Sequence, residues 1–160
     1  VLRMSCIYGP HQFGTEDQGW VAHFIIQALN DKPIILYGDG KQVRDILYVD
    51  DLVDAMLTLR DNISLLKGHV FNVGGGPDNV LSLLELVELM RELNGHSPQT
   101  LFSEWRTEDQ KYYVSDIGKI TEMTEWKPRV DAREGIGRLW YWLMDSTLTS
   151  MMSHSAGGVA

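Results

Sequence analysis

The turn Gly38-Asp39-Gly40 separates two short apolar runs, Pro33 to Tyr37 and Ile46 to Val49, and it constrains the fold more than any other stretch. Glycine supplies backbone conformations that other residues reach only with strain, and two glycines bracketing an aspartate read as a tight turn. A helix cannot run through that punctuation, so both flanking runs are predicted to be strands. The turn lifts Arg44 to the rim of a sheet, where its planar fork matches a phosphate bidentately. The competing reading is a plain β-turn whose surface arginine pairs with Asp39 or Asp45.

The remaining pattern alternates in the same way. Residues 1 to 8 read as a buried strand ending at Gly9-Pro10, followed by a polar loop over 11 to 18. A helix is predicted from about Gly19 to Asn30, with Val21, Phe24, Ile25 and Ala28 on one face. Asp50 is expected to cap a helix striped with Leu52, Ala55, Met56 and Leu59. His69 to Val73 is a strand ending in Gly74-Gly75-Gly76-Pro77. Ser82 and Glu85 form a capping box for a helix that Gly95 stops. Two extended segments follow, Gln99 to Phe102 and Lys111 to Val114, then a short helix from Asp116 to near Trp126. Asp131 and Glu134 begin a last helix with Ile136, Leu139, Trp140 and Leu143 inward, and 146–160 reads as a disordered tail. Strands interleaved with helices predict an α/β fold.

Composition removes several function classes. At 160 residues and 44% hydrophobic content the chain can bury one real core. A net charge of -8 leaves no basic patch with which to bind nucleic acid. It still permits a small anionic ligand held by a few focused cations. Cys6 is the one cysteine, which excludes an internal disulfide and fits a reducing compartment. No apolar run is long enough to span a bilayer, and no leader opens the chain. A cytoplasmic protein that binds no membrane is the expectation. The five histidines show no metal-ligand spacing, so no metal site is expected. The chain opens at Val1 inside an apolar run, which suggests that an N-terminal half is absent from it.

Two motifs mislead. Tyr37-x-x-x-Lys41 has the spacing with which dehydrogenases lower a tyrosine pKa, but that chemistry needs both residues on one helix face, and Gly38 and Gly40 forbid the helix. Gly74-x-Gly76 follows a strand as a dinucleotide loop does. However, Asn79 stands at the third glycine position and the next helix opens only near Ser82.

Taken in order, several segments resemble extended short-chain dehydrogenase/reductases of the NAD-dependent epimerase/dehydratase family. They are Arg3-Met4-Ser5-Cys6-Ile7-Tyr8-Gly9-Pro10, Gly38 to Asp45, Val49-Asp50-Asp51-Leu52, Phe71-Asn72-Val73-Gly74-Gly75 and Arg106-Thr107-Glu108-Asp109. Gln12-Phe13, Asp17-Gln18-Gly19-Trp20-Val21 and the Asp109-Gln110 pair are similar to the branch that epimerises CDP-sugars at C2. The resemblance implies the C-terminal portion of a Rossmann-like protein, mostly its substrate-binding subdomain, over residues 1–145. It also implies NAD as the cofactor of the complete protein, a nucleotide-diphosphate sugar as partner and a homo-oligomer. The family's glycine-rich NAD loop and catalytic Tyr-x-x-x-Lys lie upstream of the position matching Val1, so no catalytic residue is expected here and the chain alone is expected to be inactive. A 4-epimerase, a 4,6-dehydratase and a non-catalytic sugar-nucleotide module share the frame.

On that resemblance, Arg44 and Arg106 contact the diphosphate and Asp109 the ribose hydroxyls; the bland reading of Arg106 and Asp109 is a surface i,i+3 pair. Asn72 either bonds the nucleotide or caps a turn. Gln18 sits at the mouth of the helix, and Trp20 either stacks on cytosine or packs as core. Ser5 and Cys6 match positions on the nicotinamide side of the cofactor, although many members carry asparagine where Cys6 stands.

Overall fold

The computed structural model describes residues 1–107 and 109–156, with side chains as far as Ser146. Its elements are β1 (Leu2–Met4), β2 (Cys6–Tyr8), α1 (Trp20–Leu29), β3 (Ile34–Tyr37), β4 (Val43–Tyr48), α2 (Val49–Asp61) and α3 (Ile63–Leu66). They continue with β5 (Phe71–Val73), β6 (Val80–Ser82), α4 (Leu83–Asn94), β7 (Thr100–Ser103), β8 (Tyr112–Tyr113), α5 (Gly118–Thr124) and α6 (Ala132–Ala156).

β4 is the hub. Its second half runs parallel to β2, with Cys6 opposite Ile46 and Tyr8 opposite Tyr48. Its first half pairs antiparallel with β6 and parallel with β8. β1 lies parallel to β5, and β3 parallel to β7. Successive residues of β4 face opposite sides, as the period of two requires. Ile46 and Tyr48 join a core built with Ile25 of α1, Leu86 and Met90 of α4, and Leu139 and Trp140 of α6. Leu47 joins a second core with Ala55 and Leu59 of α2, Leu66 of α3, Ile120 of α5 and Trp126. Helices thus cover both faces, the α/β arrangement the alternation predicts.

Several differences from the sequence reading have physical causes. The single strand over 1–8 is two strands, because the chain changes partner at Ser5, whose N–H still bonds Val73 O at 3.1 Å. β4 begins at Val43, since the polar Arg44 and Asp45 belong to the strand and Asp45 is wholly buried. Asp50 lies in the first turn of α2; Tyr48 is the cap, and Asp51 instead accepts the N–H groups of Arg129 and Val130 at 3.1 and 3.0 Å. α6 continues past Ser146 to Ala156, where the sequence reading begins the tail. No glycine or proline interrupts 146–156, and Gly157-Gly158 follow. The remainder of that tail, 157–160, lies outside the described residues.

Candidate functional site

A cleft beside α1 and β3 has two regular walls and a charged end. On α1, Trp20, His23, Phe24 and Gln27 fall at i, i+3, i+4 and i+7, hence on one face. Opposite them stand Pro33, Ile35 and Tyr37, alternate residues along β3 and its approach. Gln42, Arg44, Arg106 and Asp109 close one end, and the loop residues Glu16 to Gly19 form the rim. The enclosed volume is about 260 Å³.

The glycine turn is what brings the charges together. Gly38 has φ of 81°, and a Cβ there would sit 2.5 Å from the Trp105 ring. The indole therefore lies directly on the turn, and the next residue, Arg106, is carried to the cleft. Gly40, at φ 74°, lets its carbonyl accept the Leu84 N–H at 3.1 Å, docking the start of α4 on the same turn.

Arg44 donates from Nη2 to Asp109 Oδ1 at 2.8 Å and from Nη1 to the Val43 carbonyl at 2.9 Å. Gln42 Nε2 donates to the other oxygen of Asp109 at 3.2 Å and to Tyr37 O at 2.6 Å. The Arg44 partner is thus Asp109, not the Asp39 or Asp45 of the bland reading. Arg106 stacks on the Tyr37 ring, 4.0 Å from its centroid, and donates to Glu16 Oε1 at 2.7 Å. The Tyr37 hydroxyl donates to that same oxygen. Tyr37 and then Arg106 hold the Glu16 carboxyl below the usual carboxylate range. Tyr37, then Glu16, raises the Arg106 guanidinium above its ordinary value. Two planar cations therefore face one cleft, each held by a carboxylate.

Of the residues singled out from sequence, Arg44, Arg106, Asp109, Gln18 and Trp20 line this cleft. Trp20 does two things, since it also packs against the first core and meets Phe24 edge-on at 5.8 Å. Asn72, Ser5 and Cys6 are not among the lining residues. Asn72 donates from Nδ2 to Asp116 O at 3.1 Å. Cys6 packs against the first core, and burial pushes its thiol up to about 11, with the Trp20 indole offsetting part of the rise. Sequence reasoning missed Glu16, His23, Gln27, Tyr37 and Gln42. The α1 stripe of Trp20, His23 and Gln27 was legible at helical spacing beside the core stripe, but Glu16 belongs to a loop without period.

The Gly74–Gly76 turn does not make a dinucleotide cradle. A Cβ on Gly74 would lie 2.3 Å from Asp45 Oδ2 and 2.6 Å from the hydroxyls of Ser5 and Ser115. One on Gly75 would lie 2.2 Å from Ile46 O. The Gly76 N–H is spent on Asp45 Oδ2 at 3.2 Å. These glycines let the chain pack on itself, and the turn does not fit a pyrophosphate. No group of three or more potential metal ligands occurs among the described residues, and no described helix is long and apolar enough to cross a membrane.

Residues 1–74 match the model of the NAD dependent epimerase/dehydratase family. The chain is 39% identical over 147 residues to CDP-paratose 2-epimerase of Salmonella typhi, covering 89% of this chain and 44% of that protein. It superposes on UDP-glucuronic acid 4-epimerase of Bacillus cereus, solved with UDP-glucuronic acid and NAD, at a TM-score of 0.82 and 26% identity, over 91% of this chain and 45% of that one. UDP-glucose 4-epimerase of Thermotoga maritima, solved with UDP-glucose, gives a TM-score of 0.80 at 31% identity over 92% and 46%. The chain spans less than half the length of each of these relatives.

Proposed function

We propose that this chain, whose residues 1–74 match the model of the NAD dependent epimerase/dehydratase family, supplies the nucleotide-diphosphate half of the site of a nucleotide-sugar epimerase. The observation that carries this reading is the pair Arg44 and Arg106 facing one cleft from separate elements. Each guanidinium offers a planar set of donors of the kind that recognises phosphate. The carboxylates of Asp109 and Glu16 hold these cations in place until a diphosphate takes over the same hydrogen bonds. Asp109, still held by Gln42, is then positioned to accept from ribose hydroxyls.

A CDP-sugar is the favoured ligand, supported by the 39% identity to a CDP-paratose 2-epimerase. A UDP-sugar is the second reading, supported by the two structures solved with UDP-sugars. NAD would serve the complete protein as hydride carrier. The Gly74–Gly76 turn makes no cradle for it, and no step through it is assigned to this chain's residues. Ser5 and Cys6 are proposed only as neighbours of that cofactor, and Asn72 only as a support of the strand end. Tyr37-x-x-x-Lys41 is the one such spacing in the 160 residues, and Tyr37 ends a strand. The chain alone is therefore expected to bind nucleotide and not to epimerise.

Calorimetric titration of the 160-residue chain with CDP and with UDP tests this reading. Arg44→Ala should weaken nucleotide diphosphate binding by about 1.5–3 kcal/mol, the range for hydrogen bonds to charged groups. Arg44→Lys should recover only part of it, because a point charge does not reproduce the fork. Equal affinities for the three proteins would remove Arg44 from the site.

A further inference from the structure

The oxygens that crowd Gly74 repel a phosphate, and the same arrangement suits the opposite charge. A Cβ added at Gly74 would lie 2.3 Å from Asp45 Oδ2 and 2.6 Å from both Ser5 Oγ and Ser115 Oγ. Three oxygens therefore converge on one face of this glycine, and they arrive from three places in the chain. Ser5 stands between β1 and β2, Asp45 belongs to β4, and Ser115 lies between β8 and α5. Any side chain at position 74 would fill the cradle these oxygens form.

The oxygens are short of partners. Asp45 is wholly buried, and Ser115 is 5% exposed. Asp45 Oδ2 accepts the Gly76 N–H at 3.2 Å, whereas Oδ1 has no partner among the described residues. The buried hydroxyls of Ser5 and Ser115 are equally without one. No ion pair of the described residues includes Asp45. Arg44, next to it in the strand, faces the opposite side, where its guanidinium is bonded to Asp109 and to the Val43 carbonyl. A carboxylate taken out of water is strongly destabilising unless an opposite charge or a full set of hydrogen bonds accompanies it. A single amide bond at 3.2 Å is neither.

We propose that Asp45, Ser5 and Ser115 bind a monovalent cation beside Gly74. A water molecule would complete hydrogen bonds there, but it brings no charge to a buried carboxylate. One carboxylate among neutral hydroxyls calls for a single positive charge, and oxygen donors select hard cations, here Na⁺ or K⁺. The site differs from the histidine, cysteine and acidic clusters absent from the described residues, because neutral hydroxyls supply two of its three ligands. The bound cation ties the β1–β2 junction, β4 and the approach to α5 together at one point.

The test is thermal unfolding of the 160-residue chain in sodium, potassium and choline chloride at equal ionic strength. Choline, too large for the cradle, reports screening alone. Sodium or potassium is expected to raise the midpoint by about 3–6 °C once present at roughly tenfold its dissociation constant, and the rise saturates. Asp45→Asn keeps the shape and removes the charge, and it is expected to melt at one temperature in all three salts. Ser115→Ala keeps the carboxylate and removes one ligand, so its rise should need roughly tenfold more ion. Where Asp45→Asn does not fold, Ser115→Ala decides alone. Identical wild-type midpoints in the three salts overturn the proposal and leave a buried water only. An undiminished ion-specific rise in either variant overturns it as well, because the ion then binds elsewhere.

Discussion

Glu16 is exposed, and it does more to the cleft than its place in an irregular loop suggests. Its carboxylate joins Arg106 and Tyr37, tying the rim to the β3 wall and to the charged end. A diphosphate must displace it to reach Arg106. Glu16→Gln removes the competing charge, and nucleotide affinity is expected to rise roughly two- to fivefold, the scale of an exposed ion pair. Parallel CDP titrations of both proteins at low and at high salt check this; unchanged or weaker binding would mean that Glu16 helps the ligand. The sign with pH follows from the lowered carboxyl. The tie is complete above the ordinary glutamate range and is lost as pH falls through the lowered value. Cys6 is the opposite case. Burial holds its thiol at about 11, so a thiol reagent at pH 8 should label the folded chain far more slowly than the denatured one. Comparable rates would place the thiol at the surface. Arg44 was legible in sequence because it follows the glycine turn, and Arg106 only through the resemblance of Arg106-Thr107-Glu108-Asp109 to a family element. Glu16 was not, because its role is set by residues far away in the chain.

The capping box of α4 links helix stability to the cleft. Ser82 Oγ accepts the Glu85 N–H at 3.2 Å while Glu85 Oε2 accepts the Ser82 N–H at 2.7 Å. Leu83 lines the cleft, and Leu84 docks on the Gly40 carbonyl. Ser82→Ala should cost about 1 kcal/mol, the usual loss for an N-cap, seen as a lowered midpoint in urea. A midpoint equal to wild type would show that packing of Leu86 and Met90 alone holds the helix. Ser82 also keeps the Glu85 carboxyl below its ordinary value. That contribution is present above the unfolded pKa and fades as acid protonates Glu85 in the folded chain. This helix was legible from the sequence because its cap, stripe and stop all lie within one window. β6, just before it, was not. Three residues carry no periodicity, and Val80 to Ser82 form a strand only because β4 lies alongside.

At the scale of the molecule, local pattern revealed most helices and strands, though not the short α3, and hid the order in which strands pair. Each pairing joins segments tens of residues apart, so nothing beside Leu2 in the sequence announces Phe71. The exchange of partners at Ser5 has a kinetic consequence. Because β1 and β2 are continuous through one residue, closing β2 on β4 brings β1 close to where β5 must arrive. The second search then starts from a shorter effective loop. The nearer pairing, Ile7 with Leu47, should therefore form in the folding transition state, and the farther one, Leu2 with Phe71, after it. Conservative truncations test the order by stopped-flow refolding. Ile7→Val should slow refolding, whereas Phe71→Leu should chiefly speed unfolding. The reverse pattern would mean that the sheet closes from the β5 side. With so few local strand contacts, the refolding itself should take milliseconds to seconds. Throughout that interval β1 is an unpaired edge, and a newly made chain is most exposed to pairing with another copy of itself before β5 has docked.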